Sequence, residues 1–184
     1  MERYLYTDGS CRGNPGPGGF GVIEFLTKTD SIDTNLEELV IGNYWRGDKE
    51  NTTNNRMEML AILTSFIYAA AHPEDHFTIY TDSFYCANMI NCWIRTWAVN
   101  DWKNSKGKDV ENKDLVLSLW QYVQEPFFNV SVVHIKGHDG IVGNELADRL
   151  ATNDEKGFEK ILEEYNIELK EKYKPWEICT TNVQ

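Results

Sequence analysis

The first apolar segment of the chain ends in a carboxylate and a turn, and that pairing restricts the fold from the start. Tyr4, Leu5, Tyr6 and Thr7 run into Asp8, and residues 9–18 read GSCRGNPGPG. Glycine and proline at this density break any helix and favour a tight reversal. Apolar, β-rich sequence resumes over residues 19–26. A third such run, residues 36–45 (LEELVIGNYW), follows a polar loop at 27–35. Three strands on short connections predict an antiparallel meander.

The pattern then changes. In NTTNNRMEMLAILTSFIYAAA, Met57, Leu60, Ala61, Leu63, Ile67 and Ala71 recur at helical spacing, after the cap-type residues Thr52, Thr53, Asn54 and Asn55. That helix stops before Pro73. Residues 76–81 read as a short strand ending in Asp82. Two short helices at 83–91 and 92–99, a polar, lysine-containing loop at 100–113 and a helix at 114–124 follow. A strand at 130–135, a glycine-punctuated loop at 137–143 and a helix at 144–151 complete the pattern. The order β-β-β-α-β-α-α-α-β-α predicts an α/β fold. Strands separated by helices pair in parallel, so the sheet is mixed and carries helices on its faces.

The tail differs. Residues 154–184 are highly charged, with a sparse apolar stripe at Phe158, Ile161, Leu162, Tyr165 and Leu169. Two readings stay open: a helix packed on the domain, or an extension that meets a partner. The expected organisation is a catalytic domain over 1–153 and a charged, helical C-terminal extension over 154–184.

Composition limits the functional classes. With 41% hydrophobic and 12% aromatic residues among 184, the chain can bury a real core. No run approaches the roughly 18 apolar residues of a membrane span, and MERYLYTDGS contains no apolar signal segment. Cys11, Cys86, Cys92 and Cys179 form no C-x-x-C pair, so they read as free thiols of a cytoplasmic protein. The net charge of −11 argues against tight nonspecific binding to a polyanion. It leaves room for a local site where divalent ions supply the positive charge.

Four acids occupy telling positions. Asp8 and Asp82 each end a strand, Glu58 lies in the first turns of the long helix, and Asp148 sits in NELADRLA after the glycine loop. Sites in open α/β sheets form at the carboxyl ends of strands, and parallel pairing of the first and fourth strands would bring Asp8 beside Asp82. An all-oxygen ligand set suits Mg²⁺ or Mn²⁺ rather than zinc. Two such ions can clamp the attacking and leaving oxygens of a phosphodiester. Taken singly, each acid also fits a solvated strand end or a helix terminus. A phosphate-binding loop at residues 9–18 is excluded, because no lysine follows the glycines.

Four motifs in this order, TDGSCRGNPGPGGFG, TTNNRMEMLA, YTDSFY and IKGHDGIVGNELADRLA, resemble type 1 ribonuclease H over residues 1–152. The resemblance implies an RNase H-like fold: a five-stranded mixed sheet, three strands antiparallel and two parallel, with helices on both faces. It implies hydrolysis of the RNA strand of RNA–DNA hybrids by two Mg²⁺ ions, with Mn²⁺ as a substitute, leaving 5′-phosphate and 3′-hydroxyl ends. The metal acids are then Asp8, Glu58, Asp82 and Asp148. His138 in KGHDG assists proton transfer or product release, a role that suits an imidazole because it can both give and take a proton. A monomer without an organic cofactor is expected.

By the same resemblance Ser10, Cys11, Asn14, Asn54 and Asn55 line the hybrid's minor groove and read ribose 2′-hydroxyls. Glycines of the turn, Gly9 among them, would let its backbone lie close to that groove. Asn14 can equally hold the turn, and Asn54 can cap the helix. Thr53 and Asn112 match a phosphate pocket for the DNA strand, and Trp93 and Trp97 an aromatic channel. Trp97 and Trp102 also fit a small core of their own segment.

The chain departs from the family pattern in places. Lys103, Lys106, Lys108 and Lys113 are offset by Asp101, Asp109, Glu111 and Asp114, which predicts weak substrate binding and a mild salt slope. Phe84 stands where relatives often carry a polar groove contact. The alternative function is a catalytically inactive hybrid-binding module of a replication or reverse-transcription assembly, which such modules reach by losing metal acids.

Overall fold

The structure, a computed structural model, describes residues 1–26, 39–126 and 128–169. The expected loop at 27–35, the first residues of the expected third strand, Cys179 and the end of the tail lie outside the described residues. The sheet is laid down around β1 (Glu2–Cys11). β2 (Gly16–Phe25) returns antiparallel beside it, and β3 (Val40–Thr52) pairs antiparallel with β2. On the other flank β4 (His76–Thr81) and β5 (Val130–His134) pair in parallel, giving the order β5-β4-β1-β2-β3. This is the mixed sheet expected from the order of elements.

Two features differ from the sequence reading. A sixth strand of two residues, β6 (Glu168–Leu169), pairs in parallel with β3 at Val40 and Ile41 and covers part of an open sheet edge. β3 itself runs to Thr52, well past Trp45. Its last residues, GDKEN, lack apolar alternation because this part of the edge is mostly solvated.

Helices cover both faces. α1 (Asn54–Ala70), α2 (Phe84–Asn88), α3 (Ile94–Val99) and α4 (Lys113–Val123) bury one cluster with Leu5, Val22 and Ile79 of the sheet. α2 and α3 are not separate helices. A π turn over Met89–Trp93 joins them into one helical path. On the opposite face α5 (Val142–Thr152) and α6 (Glu155–Glu164) pack over Tyr6, Ile23 and Phe25. Phe158 and Ile161 of the tail stripe are buried there, so the described start of the tail packs on the sheet.

Candidate active site

The parallel register of β1 with β4 sets Thr7 opposite Thr81. Asp8 and Asp82 come one residue later on adjacent strands, where the chains emerge at their carboxyl ends. Asp82 follows a strand buried on both sides, and Ser83 turns it at once into α2, its hydroxyl accepting from the Cys86 amide.

Glu58 arrives from the other side of β1. Thr53 caps α1 by accepting from the Arg56 amide. This fixes the helix start so that Glu58 lies over the end of the strand. The approach depends on Gly9, where a Cβ would overlap the backbone of Met57 and Glu58. Gly9 therefore has a reason internal to the fold, namely the seating of α1. Gly21 has the matching role for α5. A Cβ there would strike the Ala147 carbonyl, and α5 carries Asp148 one residue further on.

Asp8, Glu58 and Asp82 each offer a carboxylate oxygen, all within 4.8 Å of one another. Asp8 is 8% exposed and Glu58 4%. Burial pushes the Asp8 carboxyl up to about 7, helped by the charges of Asp82 and Asp148. Burial likewise holds the Glu58 carboxyl well above the ordinary range, with Asp8 and Asp82 adding to it. Glu58 Oε2 is buried and has no hydrogen-bond partner. An acceptor placed this way, inside a cluster of like charges, is satisfied by a proton or by a bound cation. The donor set is entirely oxygen, which fits a hard divalent ion.

Asp148 and His138 line the same open cleft as this trio, together with Ser10, Asn54 and Ser83. Asp148 stands outside the tight triad and lies 3.5 Å from the Arg149 guanidinium. His138 sits on an exposed loop with φ of 54°, a backbone region that histidine tolerates better than most residues.

Asn144 is a site residue that the sequence reading missed. It is 2% exposed, and its amide donates to Asp82 Oδ2 at 3.3 Å. The signal was present as the asparagine of GNELAD, one helical turn before Asp148. Arg56 was missed as well. It donates to Asn112 Oδ1 at 3.3 Å and forks onto Asp114 at 2.9 and 2.6 Å. Thr53, Arg56 and Asn112 thus meet at the start of α1.

The other expected contacts divide. The Asn14 side chain accepts from the Asn54 amide at 3.1 Å, so it ties the turn to the helix start. The Cys11 thiol donates to carbonyls within the turn and at Thr52, and does not line the cleft. Asn55 is half-buried, beyond the residues that line the cleft. Trp93 is partly exposed on the π turn, with its ring 6.0 Å from that of Trp97. Trp97 and Trp102 pack against the main core cluster rather than forming a small core of their own segment. Lys103 and Lys113 both pair with Asp109, at 2.6 and 3.2 Å.

Comparison with known proteins agrees with this geometry. The RNase H family matches residues 2–156. Ribonuclease H of Francisella philomiragia is 40% identical over 148 residues, covering 79% of this chain and 86% of that protein. Ribonuclease H of Francisella tularensis subsp. novicida is 40% identical over 146 residues, with the same coverage. Among solved structures, LC9-RNase H1, a type 1 RNase H with the type 2 active-site motif, superposes with a TM-score of 0.67 at 29% identity. That match covers 85% of this chain and 72% of LC9-RNase H1. The PFV RNase H domain gives 0.66 at 26% identity, covering 90% and 96%. With acids converging at the strand ends and nearly the whole described chain matched, the chain belongs to the RNase H family of enzymes.

Proposed function

We propose that the chain hydrolyses the RNA strand of RNA–DNA hybrids by a two-metal-ion mechanism, leaving 5′-phosphate and 3′-hydroxyl ends. The observation that carries this reading is the buried, unpartnered Glu58 Oε2 within 4.8 Å reach of Asp8 and Asp82 oxygens. Asp8, Glu58, Asp82 and Asp148 would hold the ions. Bound Mg²⁺, or Mn²⁺ in its place, supplies Lewis-acid activation of a water and neutralises charge on the leaving oxygen.

The chain's own residues do the rest. Asn144 holds the Asp82 carboxylate in one orientation, as outer partners of metal ligands do. Ser10 and Asn54, at the rim of the cleft, face the minor groove and test for a 2′-hydroxyl. Thr53, Arg56 and Asn112 form a polar cluster suited to a phosphate of the uncut strand. His138 lines the cleft from an exposed loop and can exchange a proton between product and solvent. Three of the four cysteines, Cys11, Cys86 and Cys92, are free thiols, which supports action in the reducing cytoplasm. No described helix is long and apolar enough to cross a membrane. We propose that the enzyme acts as a monomer. An inactive binding module would have lost one of the acids, and here all four line one cleft.

A panel of labelled duplexes tests the reading. RNA–DNA should be cut in its RNA strand, while DNA–DNA and RNA–RNA stay intact, and the downstream product should be ligatable through its 5′-phosphate. Cleavage of DNA–DNA overturns the substrate assignment, and products with 3′-phosphates overturn the end chemistry.

A further inference from the structure

Positive charge is scarce in this chain, and most of its arginines are internally committed. Of six arginines, Arg3 pairs with Glu24 and Asp75, Arg56 forks onto Asp114, and Arg95 donates to the Val123 carbonyl. Arg149 lies 3.5 Å from both Asp148 and Asp154. Two remain. Arg12 is exposed and has no side-chain partner among the described residues. Arg46 has only Asp48, at 3.8 Å, beyond hydrogen-bond distance, and its buried Nε has no acceptor.

These two arginines line one groove. It holds about 270 Å³ and runs between the turn, β3 and the end of α5, with Ser10, Thr152 and Asn153 among its walls. Ser10 also lines the catalytic cleft, so cleft and groove adjoin at Ser10. Asp8 and Ser10 are two residues apart on β1 and project to the same face of the sheet. A strand held at Asp8 that continues past Ser10 enters the groove directly. Asp48 is the opposing charge there, and its side chain is 68% exposed. An adjoining cavity of about 300 Å³ is lined by Arg46 and Arg149 with Asp154, Glu155 and Glu159, so its charge is acidic on balance and the cationic stretch is confined to the groove of Arg12 and Arg46.

We propose that Arg12 and Arg46 grip phosphodiester oxygens of the cleaved RNA strand beyond the scissile bond, a binding site that rests on the hybrid-hydrolase reading. Guanidinium forks suit phosphate oxygens, and the Arg46 side chain, 32% exposed with its one carboxylate 3.8 Å away, can offer its terminal nitrogens to one.

The test uses the full chain, a fluorescent RNA–DNA hybrid in EDTA for binding, and Mg²⁺ for cleavage. Arg12→Ala/Arg46→Gln should lower the steepness of log Kd against log salt by about 2, near one per phosphate contact. A fourfold rise in salt then costs the native chain about tenfold more affinity than the double variant. KM should rise while kcat stays within about twofold, since neither side chain touches the acids. Arg12→Lys/Arg46→Lys should restore the salt slope. Lys156→Ala, a charge on α6, should leave it unchanged. Should Arg46→Gln fail to fold, Arg12→Ala alone, on an exposed side chain, should lower the slope by about 1. Shortening the RNA strand at the end that reaches the groove should erase the difference between native and variant chains. An unchanged slope with hybrid cleavage intact overturns the groove and leaves the hydrolase reading standing. An equal loss in Lys156→Ala, or dependence on the DNA strand instead, also overturns it. Failure to cut any hybrid overturns the hydrolase reading itself.

Discussion

Asp8→Asn is expected to stabilise the metal-free protein while ending its activity, and the size of the gain follows from the cleft. Burial, then the charges of Asp82 and Asp148, raise the Asp8 carboxyl from its ordinary 3.8 to about 7. Folding therefore protonates a group that the unfolded chain would leave ionised. The penalty is absent at pH below about 3.8, grows as pH rises, and is complete above about 7. At about 1.4 kcal/mol per tenfold change in proton affinity, it reaches about 4 kcal/mol. Asparagine keeps the shape and drops the charge. Its buried amide costs about 1–2 kcal/mol where it finds no partner, which leaves a net gain of about 2–3 kcal/mol. For a chain of this size that raises Tm by roughly 5–10 °C. Thermal unfolding in EDTA at about pH 4 and about pH 8 reads it directly. At the lower pH the penalty is nearly absent, so the amide cost leaves the variant about 1 kcal/mol less stable, whereas the gain is full at the higher pH. Mg²⁺ should stabilise the native chain at the higher pH more than it stabilises the variant. Equal gains at both pH values, or none at the higher one, would refute the electrostatic account of the cluster.

Four further outcomes follow from the same geometry. Gly9→Ala forces a Cβ into the backbone of α1, so it should lower unfolding free energy by about 3 kcal/mol and cut activity with it, as urea melts and cleavage rates will show. Asn144→Ala releases Asp82 Oδ2 and should reduce activity or apparent Mg²⁺ affinity about 10- to 100-fold, read by titrating the metal in a cleavage assay. Asp114→Asn frees Arg56 near Thr53 and Asn112. Because this pair is partly exposed, Tm should move little, while the salt slope of hybrid binding steepens by about 1. His138→Ala should slow turnover yet leave measurable cutting, and a loss as complete as that of Asp8→Asn would remove its proton-exchange role.

Much of the fold was legible because two periodicities alternate along the chain. The helix from Asn54 and the strand His76–Thr81 stood out from spacing alone, and the order of elements implied the mixed sheet. The end of β3 was hidden, since an edge strand with one solvated side needs no apolar alternation. β6 was hidden for a related reason: two residues pair through backbone, which side-chain identity does not record. In the site, Asp8 and Asp82 were readable from strand ends, and the motifs added Glu58 and Asp148. Asn144 and Arg56 were not, because their roles come from three-dimensional hydrogen bonds to residues 62 and 58 positions away. Gly9 looked like an opening toward substrate. Only the packing of α1 on β1 shows that Glu58 depends on it.

The most direct test of the central claim is cleavage of a strand-labelled RNA–DNA hybrid with Mg²⁺, beside EDTA and Asp8→Asn controls. The account predicts that only the RNA strand is cut, and that both controls abolish cutting while hybrid binding by the variant is retained. Cutting that survives EDTA or Asp8→Asn, or hybrid binding without any cutting by the native chain, would contradict it.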